Sequence, residues 1–131
     1  MANEARVHSS LQVIQGNINY NSAPTSFTAD VTGTKGPTPG AISVPLAGCE
    51  VDLSELTTAG FCRFLNLDEN NYVQRGIWVA ASFYELDEIG PGESYVVKLS
   101  RTLQTTGTPG NPLGLKSVGG VCVVVVEAFE A

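Results

Sequence analysis

From Phe61 to Arg101 the chain reads FCRFLNLDENNYVQRGIWVAASFYELDEIGPGESYVVKLSR, three apolar runs divided by turn-forming residues. Phe61 to Leu67 and Tyr72 to Phe83 flank a polar tip, Asp68-Glu69-Asn70-Asn71, and Ser94 to Leu99 follows Gly90-Pro91-Gly92-Glu93. Asp and Asn tolerate left-handed backbone and bond to their own chain. A Pro-Gly pair supplies the two central φ values of a type II turn, with Gly92 as the residue expected at positive φ. The stretch is therefore predicted to hold three strands joined by two turns, which commits the chain to antiparallel β-structure.

The remainder agrees with that commitment. Val7, Ser9, Leu11 and Val13 alternate with His8, Ser10, Gln12 and Ile14, the two-residue period of a half-buried strand, and Gly16-Asn17 then turns the chain into Ile18-Asn19-Tyr20. Thr25 to Val31 alternates again. Thr32 to Gly40, with two prolines and three glycines, is predicted as a loop. Ala41 to Leu46 resumes a strand whose Pro45 suggests a sheet edge. Asp52-Leu53-Ser54-Glu55 sets a capping residue ahead of a Glu, with Gly60 beyond, and predicts one short helical turn near residues 53–58. Thr102 to Gly120 has five glycines and two prolines and is predicted as a long loop. The valine run from Val121 is predicted to lie in mid-sheet, covered on both faces. The fold class expected is all-β: a single antiparallel β-sandwich domain over residues 1–131, jelly-roll or immunoglobulin-like, with about eight strands and long loops at 32–40 and 102–120.

Composition narrows function mainly by exclusion. A chain of 131 residues buries roughly 70% of its unfolded surface, enough for a core without staples. Its net charge is −6, and its seven bases are scattered, so it lacks the basic face that a nucleic-acid binder needs. No apolar run approaches the ~20 residues of a membrane span. The start, MANEARVHSS, has neither the basic nor the apolar part of a signal peptide, so synthesis in a cytoplasm is expected. Cys49, Cys62 and Cys122 have no paired spacing and are expected to be free thiols, the latter two buried.

Each chemical constellation has a plainer structural reading. His8 is the only histidine and no Gly-x-Ser-x-Gly occurs, so a hydrolytic triad lacks its parts. Zinc-ligand spacing is absent. The acids of Asp68 to Asn71 are contiguous, where a calcium loop spaces its ligands on alternate residues. Glu85, Asp87, Glu88 and Glu93 fit solvated strand and turn positions better than an acid–base pair. Gly90-Pro91-Gly92 lacks the helix start of a phosphate cradle. Trp78, between Ile77 and Val79, fits packing better than an exposed sugar platform. No enzyme, metal or cofactor is expected.

Asn66-Leu67-Asp68-x-x-Asn71-Tyr72-Val73-x-x-Gly76, preceded by the Leu53-to-Gly60 turn and followed by Pro91-Gly92-Glu93, resembles small virion structural proteins of tailed bacteriophages. The resemblance covers about a third of the chain and carries no catalytic residues. It implies a non-enzymatic virion component, foremost a capsid decoration (cement) protein bound to the major capsid protein. It also implies a homo-oligomer, with a trimer favoured. The alternatives are a minor tail or neck protein, or a module that binds a host-surface glycan or receptor. Thr102 to Gly120 departs from the resemblance and is expected to serve as a contact arm, with Leu103, Leu113, Leu115 and Lys116 as partner-contact residues; the alternative is a long passive crossover between sheets. Its sparse apolar content cannot offset its own ordering.

Overall fold

The computed structural model describes residues 3–103 and 112–131. The described chain is all-β and groups into two compact units, Met1–Thr32 and Gly33–Ala131. The first unit holds β1 (Glu4–Ser9), β2 (Gln12–Gln15), β3 (Ile18–Asn21) and β4 (Thr25–Asp30). The second holds β5 (Thr38–Val44), β6 (Cys49–Glu50), β7 (Ala59–Asn66), β8 (Tyr72–Val79), β9 (Ser82–Ile89), β10 (Ser94–Lys98), β11 (Leu113–Val118) and β12 (Cys122–Glu130).

In the second unit two four-stranded antiparallel sheets pack in layers, with orders β10-β7-β12-β5 and β6-β11-β8-β9. The pairings are nested. β8 pairs with β9, β7 with β10, β6 with β11 and β5 with β12, so the first strand of the unit lies beside its last. Pairs β7–β12 and β8–β11 close the sheets. One sheet contributes Val44, Cys62, Phe64, Cys122, Val124, Val126 and Ala128 to the core, and the other contributes Val73, Ile89, Leu113 and Leu115. Full burial of a side chain the size of Phe64 or Leu115 stabilises by ~1.5–3 kcal/mol, so this unit has a core of its own.

Asn66, fully buried at the end of β7, ties the central turns together. Its Nδ2 donates to the carbonyls of Asn71 (3.0 Å), Ile89 (3.2 Å) and Gly90 (3.2 Å), and its Oδ1 accepts from the Asp68 amide (3.0 Å). Its backbone amide donates to the Glu93 carbonyl, while its own carbonyl accepts from the Gly92 amide. Asp68 in turn accepts from the amides of Asn70 and Asn71, which holds its carboxyl below the usual range. The Asn66-to-Asn71 segment and the Pro-Gly-Glu turn are thus one hydrogen-bonded knot. Gly92 has the positive φ (+72°) expected of it.

Several expectations need correction. Residues 53–58 form no helix. Asp52 Oδ1 accepts from the Ser54 amide and Leu53 carbonyl from the Leu56 amide, a capped turn that drops Leu53 and Leu56 into the core. Pro39 lies inside β5, so the 32–40 loop ends earlier than its composition suggests; the sheet tolerates the proline because β5 is an edge strand. The segment 102–120 contains β11, and residues 104–111 lie outside the described residues. β12 is central, but only one of its faces is covered: Cys122, Val124, Val126 and Ala128 are buried, whereas Val123 is 41% exposed. Twelve strands, not about eight, are present among the described residues, because the first run divides into β1 and β2, β9 is a strand apart from β8, and β6 and β11 lie in segments not assigned to strands.

Candidate functional site: the amino-terminal ribbon

The amino-terminal unit is a two-stranded ribbon folded back on itself. β1 pairs with β4 from Glu4↔Asp30 to Ser9↔Thr25, and β2 pairs with β3 from Gln12↔Asn21 to Gln15↔Ile18. At the tip, Gly16 (φ +54°) takes the first central position of a two-residue turn and Asn17 the second, the arrangement that a type II′ hairpin needs. Midway, two residues on the outgoing strand (Ser10, Leu11) oppose three on the return (Ser22, Ala23, Pro24), a bulge. It is held by the Ser22 amide on the Leu11 carbonyl (2.8 Å) and by Ser22 Oγ, which accepts from the Leu11 amide (2.7 Å).

The register sorts the side chains of the tip. Val13 lies opposite Tyr20, and Gln15 opposite Ile18, on one face; Gln12, Ile14, Asn19 and Asn21 take the other. Every residue of β2 and β3 is exposed, with Leu11 beside them at 59%, Ile18 at 54% and Tyr20 at 56%. A two-stranded hairpin is marginal in water unless its apolar face is covered or more strands join it. The ribbon is also uncharged. From Ser9 to Ala29 there is no Asp, Glu, Lys, Arg or His, in a chain of net charge −6. The strand alternation of Val7 to Val13 and the Gly16-Asn17 turn are legible in sequence. The signal that separates this ribbon from a sandwich strand is the charge gap.

A second apolar surface lies on the outer side of the β10-β7-β12-β5 sheet. Leu65 sits opposite Val125, and Val125 opposite Ala41, in one row; Leu67 and Val123 adjoin it, and Val96 follows on β10. Leu67, Val96 and Val123 are exposed. The Arg63–Glu127 ion pair borders the patch at 2.7 Å.

The residues predicted to contact a partner fall elsewhere. Leu113 and Leu115 are buried in β11 as members of the core and have no surface to offer a partner. Leu103 is half-buried against that core, and Lys116 is half-buried on β11. Gly114 between the two leucines is there for space: a methyl group there would collide with Trp78 Nε1. Trp78 Nε1 donates to the Cys49 carbonyl (3.1 Å), and its ring meets Phe83 with centroids 5.2 Å apart.

Groups weighed for chemistry are held by structural partners or stand apart. His8 lines an open crevice of about 210 Å³ with Ser9, Ser10, Pro24, Thr25 and Ser26, where no carboxylate is present to orient an imidazole. Asp87 accepts two hydrogen bonds from the Arg75 guanidinium, which also lies over the Phe64 ring. Glu93 accepts from the Tyr95 hydroxyl, and that bond pushes the phenol up to about 12. Burial pushes the Cys62 thiol up to about 12. Among the described residues no group of three or more His, Cys, Asp or Glu is placed to hold a metal ion. Comparison with family models, with curated proteins and with solved structures finds no match to this chain.

Proposed function

We propose that this chain is a non-enzymatic assembly protein, a structural component of a tailed-bacteriophage virion, and within that class a capsid decoration protein bound to the major capsid protein. The observation that carries the reading is the ribbon. An uncharged hairpin exposed along its length, with Val13 paired against Tyr20 and no core of its own, is a contact element that another surface must complete.

The architecture of the second unit supports the same reading. Nested pairing of first with last strand, second with seventh, third with sixth and fourth with fifth is the result when one long hairpin is wrapped into two sheets. We assign it as a jelly roll, an architecture used by viral capsid domains and also by lectins and cupins, so it supports the virion reading without carrying it. The Asn66 knot gives Asn66, Asp68, Asn71, Gly92 and Glu93, part of the stretch on which the resemblance rests, a role in the fold. A minor tail or neck position is the neighbouring alternative. A glycan-binding module is less well supported, because Trp78 is half-buried and its Nε1 is already bonded to the Cys49 carbonyl.

The test is composition of purified particles from the phage that encodes the chain. The chain should be found on particles by mass spectrometry. An Ile18→Lys, Tyr20→Lys variant should be made and folded, yet missing from them. Particles that lack the wild-type chain, or that take up the variant equally, would overturn the proposal.

A further inference from the structure

We infer that the free edge of β3 pairs with β3 of a second copy of this chain, antiparallel about a twofold axis at Asn19, joining two ribbons into one four-stranded sheet. The inference rests on the reading of the ribbon as a contact element and names what meets its edge. Three observations carry it: edge protection, charge and register.

The sheet edges of the second unit are guarded. β9 carries Glu85, Asp87 and Glu88, with a bulge that sets Leu86 out of register. β5 carries Pro39, β6 is two residues long, and β10 is five residues ending in Lys98. Charge, proline, bulges and brevity are the usual defences of a strand edge against pairing with another chain. β3, Ile18-Asn19-Tyr20-Asn21, has neither charge nor proline within it. Copies of a chain with net charge −6 repel one another, and the ribbon between Ser9 and Ala29 is the long stretch through which they meet without opposed charges.

The register is self-complementary. The Ser22 amide bonds the Leu11 carbonyl, so bonded pairs alternate from there: Val13↔Tyr20 and Gln15↔Ile18 exchange hydrogen bonds, and Ile14↔Asn19 does not. Asn19 therefore aims its backbone N–H and C=O away from β2, at the open edge. A twofold axis there lets the two Asn19 residues exchange both bonds. It also sets Ile18 opposite Tyr20 of the second copy, an aliphatic–aromatic pair on the same face as Val13. The opposite edge offers less: a twofold at Ile14 would set Val13 against Gln15. Four strands with one continuous apolar face meet the requirement that two strands alone do not.

The experiment is sedimentation equilibrium of the purified full chain without other particle proteins. The wild type should sediment at twice its 13.8 kDa chain mass. Asn19→Pro removes the outward amide without touching a bond to β2, and should raise the dissociation constant at least ~10-fold, whereas Ile14→Pro on the other edge should not. Asn19→Lys and Asn19→Glu chains should each be monomeric alone and dimeric when mixed, because the two positions face each other. These charge variants keep the test decisive if proline disturbs the ribbon. A monomeric wild type, equal effects of the two prolines, or failure of the mixed chains to associate would overturn the pairing. A monomer that still joins particles would overturn self-pairing alone and leave the assembly reading standing.

Discussion

Replacing Asn66 by Asp changes one NH2 group to oxygen in a site with no solvent exposure, where the surrounding carbonyls dictate the outcome. The retained Oδ1 still accepts from the Asp68 amide, but the second oxygen now faces three carbonyls that the amide group had served. An ionised carboxylate there is repelled by all three, so the folded protein must protonate it. Starting from an ordinary Asp value near 3.9, protonation at pH 7 costs about 4 kcal/mol. The single O–H then serves one carbonyl where two N–H groups served three, a further loss of ~1–2 kcal/mol. The total, ~5–6 kcal/mol, is comparable with the whole stability of many domains, and at 4–8 °C per kcal/mol it predicts a fall in Tm of roughly 20 °C or more. The sign with pH is diagnostic. The folded-state pKa is raised above the unfolded one, so the folded state binds the extra proton and the penalty shrinks as pH falls towards 4. Thermal unfolding by circular dichroism, with the wild type run at each pH, measures both effects. An Asn66→Ala control should be destabilised without that added pH dependence. A Tm loss at pH 7 below ~4 °C (about 1 kcal/mol), or a loss unchanged at pH 5, would refute the knot as drawn.

Other predictions are independent of Asn66. Of the four tyrosines, Tyr95 should ionise late, near 12, in an ultraviolet absorbance titration, and Glu93→Gln should return it towards its ordinary value. Because its folded pKa is raised, the stabilisation from that bond should be complete below pH ~10 and lost as pH rises through about 12. Cys49, half-exposed, should react with a thiol reagent in the native protein, while Cys62 and Cys122 should be labelled only on unfolding. Gly92→Val forces a β-branched residue to φ +72° and should cost at least ~1–2 kcal/mol, seen as a Tm drop of several degrees; an unchanged Tm would contradict the turn. Glu130 accepts from the Thr57 amide at 3.0 Å and its carboxyl is held low. Its stabilisation should be present above the ordinary carboxylate range and lost as pH falls through the lowered value, and Glu130→Gln should flatten that part of an acid-unfolding curve.

How each residue is used decides whether its role was legible in the sequence. Turn chemistry located the central hairpins because Asp68, Asn71 and Gly92 do locally what their types favour. Residues 53–58 misled because Asp52 caps a helix and a simple turn by the same bond, and only the burial of Leu53 and Leu56 decides between them. β11 was hidden for a tertiary reason. Gly114 reads as a loop residue, yet it is glycine so that Trp78 can lie across the strand. The valines of β12 correctly announced a central strand, but apolar content cannot tell a face covered within the chain from one left open, as Val123 is. The ribbon was visible as a hairpin, but alternation alone does not mark it as a separate unit, since an alternating strand looks the same whether or not a second sheet covers it.

The Asn66 motif and the ribbon proposed for contact are different parts of the molecule. Asn66, Asp68, Asn71 and Gly92 spend their polar groups on one another and on buried carbonyls, so they serve the fold and leave little for a partner. The ribbon does the reverse: its exposed apolar side chains contribute little while they face water and gain most when covered. This division has an energetic consequence. The second unit carries a core and is expected to melt independently of protein concentration, whereas order in a ribbon completed by a partner must rise with that partner's concentration by mass action. On the proposed reading, particle position is therefore set by the short uncharged segment from Ser9 to Ala29, while the motif around Asn66 serves the fold of the second unit.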